Sequence, residues 1–249
     1  MKVLARTGYA AKGVVYLLVG GLAVQGVSSS GSQDALSKLA NQPFGQVLTG
    51  LTAAGLLAYA AWRFVQGVAD PENEGSDALS LGRRFAYLVS GALYVGLALT
   101  AARLMLGGSS GGDGAQSWTA SVLQLSFGQW LVGAVALSIF VAGIHQFYQG
   151  VAAGFTEDFA LGKMSDNEKT WATRAGRVGH VSRSVIYFIV GWLVLRAALS
   201  DNPSDVGGMD KALSTLRDQG PWLLGAAGLG LVCYGVYCFV MARYRKAVV

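Results

Sequence analysis

The sequence predicts an all-α polytopic membrane protein, with six transmembrane helices arranged as three pseudo-threefold-related helical hairpins. Three observations predict it. Hydrophobic residues make up 53% of the 249-residue chain and charged residues 13%, well below the roughly 25% charged of soluble domains. Six apolar stretches, near 8–27, 45–69, 84–106, 128–152, 178–200 and 221–242, contain no Asp or Glu. A two-helix pattern is also written three times. Each stretch holds about 20 residues or more, enough at about 1.5 Å per residue to cross a hydrocarbon core of roughly 30 Å. A soluble bundle would need polar faces at helical period, and these stretches lack them.

The repeat is read in two registers. With Tyr16, Tyr94 and Tyr187 aligned, Arg6, Arg84 and Arg177 stand ten residues earlier and Tyr9, Tyr87 and His180 seven earlier. Gly13, Gly91 and Ser184 stand three earlier, and Gly20, Ala98 and Gly191 four later. The second register aligns Gly50, Gly133 and Gly225. It carries Gly55, Ser138 and Gly230 five residues on, Ala60, Gly143 and Gly235 ten on, and Phe64, Phe147 and Phe239 fourteen on. The period is about 80 to 90 residues, longer than solenoid repeats. We expect a single membrane domain over 1–249, with repeat units of about 1–72, 73–160 and 161–249.

The first stretch imitates a secretory signal, with Lys2, Arg6 and Lys12 ahead of an apolar core. Its column of Arg6, Tyr9, Gly13, Tyr16 and Gly20 recurs in the third and fifth stretches, so it is read as a retained helix. Pro71 should stop the second span at or near Asp70. The links after the odd spans carry short helix-like patches at 35–39, 118–123 and 212–216. These are expected to be interfacial helices leading into the even spans. Counting Lys and Arg places 14 of 19 on the side of the two termini, counting Lys12, Arg63 and Arg183 there, and 5 on the other. Both termini should therefore be cytoplasmic. Arg103 and Arg196 share a column at the outer boundary and should snorkel. Cys233 and Cys238, five apart on one helix, point in different directions and are read as free thiols.

In the odd spans the columns alternate spacings of three and four, the seam of a helix packed left-handed on a neighbour. Small residues there let backbones approach where no hydrophobic drive holds helices together. Gly13, Gly20, Gly50, Gly55, Gly91, Gly133, Gly143, Gly191, Gly225, Gly230 and Gly235 are accordingly assigned to helix packing. Each phenol of Tyr16, Tyr94 and Tyr187 should seek a partner, expected to be a carbonyl of a neighbouring helix.

Toward the cytoplasmic end the columns turn polar. Arg6, Arg84 and Arg177 open the odd spans, followed by Tyr9, Tyr87 and His180. The even spans bring Trp62–Arg63, His145–Gln146 and Tyr237–Cys238. The first reading is an interfacial belt on lipid headgroups. The second is an inward-facing vestibule for an anionic ligand, because polar residues at depth are costly and therefore functional suspects. His145 and His180 make a bis-histidine haem conceivable as a minor alternative. No carboxylate or thiolate cluster for a metal, no phosphate loop and no nucleophile triad appears in the sequence. Neither enzyme activity nor a cofactor is expected. The net charge of +5 flanks membrane segments, so lipid, alone or with a second membrane subunit, is the expected partner, with no nucleic acid.

The phrase Arg-x-Gly-Tyr/His…Gly/Ser-x-x-Tyr…Gly, at 5–21 and 176–192, resembles a bacterial membrane family of unknown function. That family is built from three tandem two-helix units. The stretch from Lys163–Met164–Ser165 through Trp171 and Arg174 fits its pattern, as do Tyr234–Gly235–Val236–Tyr237 and Arg243–Tyr244–Arg245. The second unit departs, with Ala86 and Ser90 in place of a Gly and a basic residue. The resemblance implies six spans in a bacterial inner membrane and carries no activity. Mitochondrial carriers share the three-times-two plan, but their Pro-x-acidic-x-x-basic signature is missing from every odd span here. The leading expectation is a non-catalytic membrane component that packs against lipid or another subunit; the rival is a small-solute or ion channel or transporter.

Overall fold

The computed structural model describes residues 2–26, 37, 40, 45–69, 78–107 and 114–246. Its helices are α1 (Lys2–Val24), α2 (Gly45–Ala69), α3 (Ala78–Met105), α4 (Gly114–Leu123), α5 (Gly128–Ala152), α6 (Asp166–Ser200), α7 (Met209–Gln219) and α8 (Pro221–Tyr244). Among the described residues α1, α2, α3, α5, α6 and α8 are long and apolar enough to cross a membrane. They overlap the six apolar stretches, and the helix that carries the fifth begins twelve residues before it, at Asp166. The short α4 and α7 fall on two of the three expected outer patches; most of the first, 35–39, lies outside the described residues. So does Asp70–Pro71, one residue beyond the end of α2 at Ala69.

Local chemistry sets the helix ends. α6 opens on a reciprocal capping box, in which Ser165 accepts from the Glu168 backbone and Glu168 accepts from the Ser165 backbone. α5 closes on Ala153 in the left-handed region, at φ 55°. α7 buries Ala212, Leu213 and Leu216 against α8 and α6.

The most extensive helix pairings are α1 with α8, α3 with α2, and α6 with α5. In each, the first span of one unit lies on the second span of the preceding unit, taken cyclically. That is the pseudo-threefold relation, and it joins units more tightly than it joins the two arms of a hairpin. Repeat-equivalent atoms make these seams. A Cβ on Gly13 would meet the Phe239 ring at 3.0 Å, and one on Gly91 the Phe64 ring at 3.0 Å. At the α1–α8 crossing a Cβ on Gly20 would lie 2.6 Å from the Gly228 carbonyl oxygen, and one on Gly228 2.8 Å from that of Gly20. Gly143 faces Phe188 and Gly191 faces Phe140 across the third seam. Two assignments need correction: at Gly133 and Gly225 a Cβ would meet nothing within 4 Å among the described residues. Those positions are open, so glycine there does not serve a close approach.

The arms of the first and third units also touch, α1 on α2 and α6 on α8. A Cβ on Gly8 would lie 2.6 Å from Tyr59 Cα, and one on Gly179 2.6 Å from Tyr234 Cα. Ala11 meets Gly55 and Ser182 meets Gly230 along the same lines. The middle unit is different. At these columns it carries Ala86 opposite Ala142 and Val89 opposite Ser138, and α3 and α5 share no packed seam. The added Cβ atoms fall where the other hairpins have no room for them. The ring of helices is therefore open between α3 and α5.

Candidate functional site: cations caged by tyrosines

Lys12 and Arg183 occupy one column of the repeat, four residues before Tyr16 and Tyr187; the middle unit has Ser90 there. Both are buried inside the protein, at 4% and 7% exposure. A half-buried Arg63 from α2 joins them. Two repeat-equivalent rings, Tyr59 and Tyr234, connect the three charges. The Tyr59 hydroxyl accepts from Arg63 Nη2 at 2.6 Å, Arg63 Nε at 2.9 Å and Lys12 Nζ at 3.1 Å. The Lys12 ammonium lies 5.3 Å from the Tyr234 ring centre, and the Arg183 guanidinium lies 4.2 Å from the same ring.

The surrounding rings repeat the pseudosymmetry. Tyr16 meets Tyr234 edge-on at 4.8 Å, and Tyr94 meets Tyr59 edge-on at 4.7 Å. Tyr9 on Tyr59 and His180 on Tyr234, at 5.4 and 5.3 Å, form the second equivalent pair. Arg183 donates to the Tyr187 hydroxyl at 2.7 Å. In the aligned column the Tyr187 phenol thus meets a side chain, where a carbonyl had been expected. A charged neighbour is the stronger partner in a low-dielectric interior.

The centre has donors in excess. A phenol oxygen offers two lone pairs, an ammonium three N–H groups and a guanidinium five. Three N–H groups converge on Tyr59, while Lys12 and Arg183 each make one hydrogen bond among the described residues. Ring faces supply part of the stabilisation through cation–π contacts. No carboxylate is available from the spans, since none of the six apolar stretches contains Asp or Glu. An unpaired buried charge costs on the order of several kcal/mol. The arrangement can accept an anion.

The side bearing the termini is closed by a cap. Phe155 and Phe159, in the link between α5 and α6, are buried and pack on Tyr237. Phe155 also stacks on His180 at 5.0 Å. The C-terminal tail pairs with this link, Ala160 N donating to Tyr244 O at 2.7 Å and Lys246 N to Asp158 O at 2.8 Å. Arg245 then donates to the Tyr9 hydroxyl at 3.0 Å and lies over the Trp62 ring. On the opposite side the fully buried Val19, Ala23, Leu56 and Leu231 fill the interior.

The residues picked out at the end of the spans that bears the termini do not form one ring. Tyr9, Trp62, His180 and Tyr237 are buried beneath the cap, and Arg63 reaches the cation centre. Arg84 donates to the carbonyls of Gly67 and Val68 at the end of α2, and Arg6 to that of Arg243 at the end of α8. Val68 and Arg243 are repeat-equivalent, so these arginines cap the preceding helix of the ring. Tyr87 lies beneath the Arg63 guanidinium, at 5.0 Å. Arg177 is exposed. His145 is exposed near Gln149, while buried His180 bonds Gln146 at 2.9 Å. The two imidazoles take different partners, and Phe155 stacks on one of them. Arg196 pairs with Asp205 at 3.4 Å.

Sequence reasoning missed Lys12 and Arg183 as site residues by counting them with the flanking cations. Their shared column, set among seam glycines, was the available signal.

No solved structure matches this chain. A relative in Bacillus subtilis (strain 168), "Uncharacterized protein YxxB", is 34% identical over 251 residues, covering 98% of this chain and 91% of that protein. The family model described as "Domain of Unknown Function (DUF1206)" matches three times, over 7–70, 85–153 and 178–245, once on each two-span unit. Three tandem copies of that domain, spaced as the helical pairs are spaced, place the chain in the DUF1206 family.

Proposed function

We propose that this multi-pass membrane protein is a non-catalytic component of the bacterial cytoplasmic (inner) membrane that binds an anion at its tyrosine-caged cations. The observation that carries the reading is Lys12 and Arg183, both buried within membrane spans with no carboxylate in any of the six apolar stretches. Intramembrane ionisable groups mark functional sites, and a bound anion supplies the acceptors that Tyr59 and Tyr187 cannot. Cytoplasmic termini are supported by the remaining basic residues. With Lys12, Arg63 and Arg183 set aside as internal, eleven of the rest lie on the terminal side and five on the other. Conduction is less well supported, because Val19, Leu56 and Leu231 close the path beyond the tyrosines.

The test is thermal unfolding in a neutral detergent, titrated with inorganic phosphate and separately with dodecyl phosphate. At least one should stabilise the wild type, by about 2.7 kcal/mol at a hundredfold excess over its dissociation constant. The double variant Lys12→Gln/Arg183→Gln should not respond. Absence of any anion-dependent shift in the wild type contradicts the reading.

A further inference from the structure

The open middle unit exposes surfaces that its counterparts bury. Val15, Leu93 and Ile186 share a column, and their exposures are 3%, 69% and 4%. On the even spans Thr52, Val135 and Ala227 share a column, at 5%, 53% and 8%. The inner faces of α3 and α5 are therefore bare and apolar where the other hairpins close. Only 17% of the apolar window of either helix is buried, against 44% or more in the other four spans.

The same unit is missing its share of the cage. Where the first and third units place a cation and a tyrosine, Lys12 with Tyr59 and Arg183 with Tyr234, the middle unit has Ser90 with Ala142. Two sectors of the pseudo-threefold centre are filled and the third holds small side chains. Tyr94 on α3 borders that sector, with the Lys12 ammonium 5.4 Å from its ring centre. Lys12 lies six residues inside Arg6, about 9 Å along the helix, so the centre sits at lipid depth. The aqueous approach on the terminal side is covered by Phe155, Phe159, Trp62 and Arg245.

We propose that the cleft between α3 and α5 is a lateral entry for an anionic amphiphile. Its phosphate or carboxylate headgroup enters the sector of Ser90 and Ala142, toward Lys12 and Arg183, and its acyl chain lies along the apolar walls at Leu93 and Val135. This rests on the anion-binding reading and adds the ligand class and the route. Apolar walls leading to a cationic floor with no carboxylate partner among the described residues complement such a molecule at both ends. A soluble anion would use only the floor. An uncharged lipid would leave the charges unpaired.

The experiment uses the full chain reconstituted in phosphatidylcholine vesicles containing phosphatidylglycerol with a diazirine on its acyl chain. After irradiation, labelled residues are mapped by mass spectrometry. Label should concentrate on α3 and α5 facing the cleft, around Leu93 and Val135. It should fall about tenfold or more for each cation removed in Lys12→Gln and Arg183→Gln. Excess unlabelled phosphatidylglycerol should displace it, and glycerol phosphate should not. Ala142→Tyr, which restores the tyrosine of the other units, should also abolish the label; the wild-type map stands independently of whether that variant folds. Label spread evenly over all six spans, or α3 and α5 covered by a second copy of the chain, overturns the proposal. Stabilisation by inorganic phosphate without cleft labelling overturns lateral entry and leaves the anion site intact. Failure of both removes both.

Discussion

At the scale of single residues, the arrangement turns on Tyr59, whose one hydroxyl serves two cations. Removing it in Tyr59→Phe leaves the ring in place and strips the acceptor from Lys12 and from two N–H groups of Arg63. Loss of an acceptor from buried charged donors costs about 1–3 kcal/mol. The variant should therefore unfold at a lower temperature in neutral detergent, and an unchanged midpoint would mean that Tyr59 is not their partner. Residue-level legibility was uneven. The columns of Tyr16, Tyr94 and Tyr187 were plain in the sequence, whereas Tyr9 and His180, read first as an interfacial belt, lie buried beneath the cap. Lys12 and Arg183 were hidden by the rule that a basic residue near a span end snorkels to the interface. That rule holds for a helix surrounded by lipid, and it fails when the column faces a ring of neighbouring helices.

At the scale of helices, glycine serves by allowing contact, and only at some positions. Gly20 and Gly21 are chain neighbours with opposite surroundings: a Cβ on Gly20 meets the Gly228 carbonyl and Val232, while one on Gly21 meets nothing within 4 Å among the described residues. Gly20→Ala should destabilise the α1–α8 pair by about 1–3 kcal/mol through overpacking. Gly21→Ala should be neutral or stabilising by up to about 1 kcal/mol through helix propensity. Denaturation of the two variants side by side checks this; equal effects would remove the seam as the cause. The spacing of small residues in the sequence identified most of these seams. Gly133 and Gly225 were read with them because periodicity alone does not say which face meets a helix and which meets open space. The departure at Ala86 was visible too. Its meaning required the observation that Gly8 and Gly179 each abut the backbone of a tyrosine on the partner arm.

At the scale of the whole molecule, three copies of one hairpin have diverged into two that close and one that stays open. Cyclic pairing of α1 with α8, α3 with α2 and α6 with α5 holds the three units together despite that opening. Six spans, their order and the threefold plan were legible from apolar length and internal repetition, which depend on local composition. Which unit would open, and where the charges would gather, were not. Both depend on contacts between different helices, as in Gly8 with Tyr59 and Lys12 with Tyr59, about fifty positions apart. The central claim is that the buried cations are neutralised by a bound anion. Native mass spectrometry of the intact protein, released from its own membrane in neutral detergent, tests it most directly. The wild type should carry an adduct with the mass of an anionic amphiphile, retained at collision energies that strip annular lipid and lost in Lys12→Gln/Arg183→Gln. A bare chain mass for the wild type, with the double variant as stable as its parent, would contradict the account.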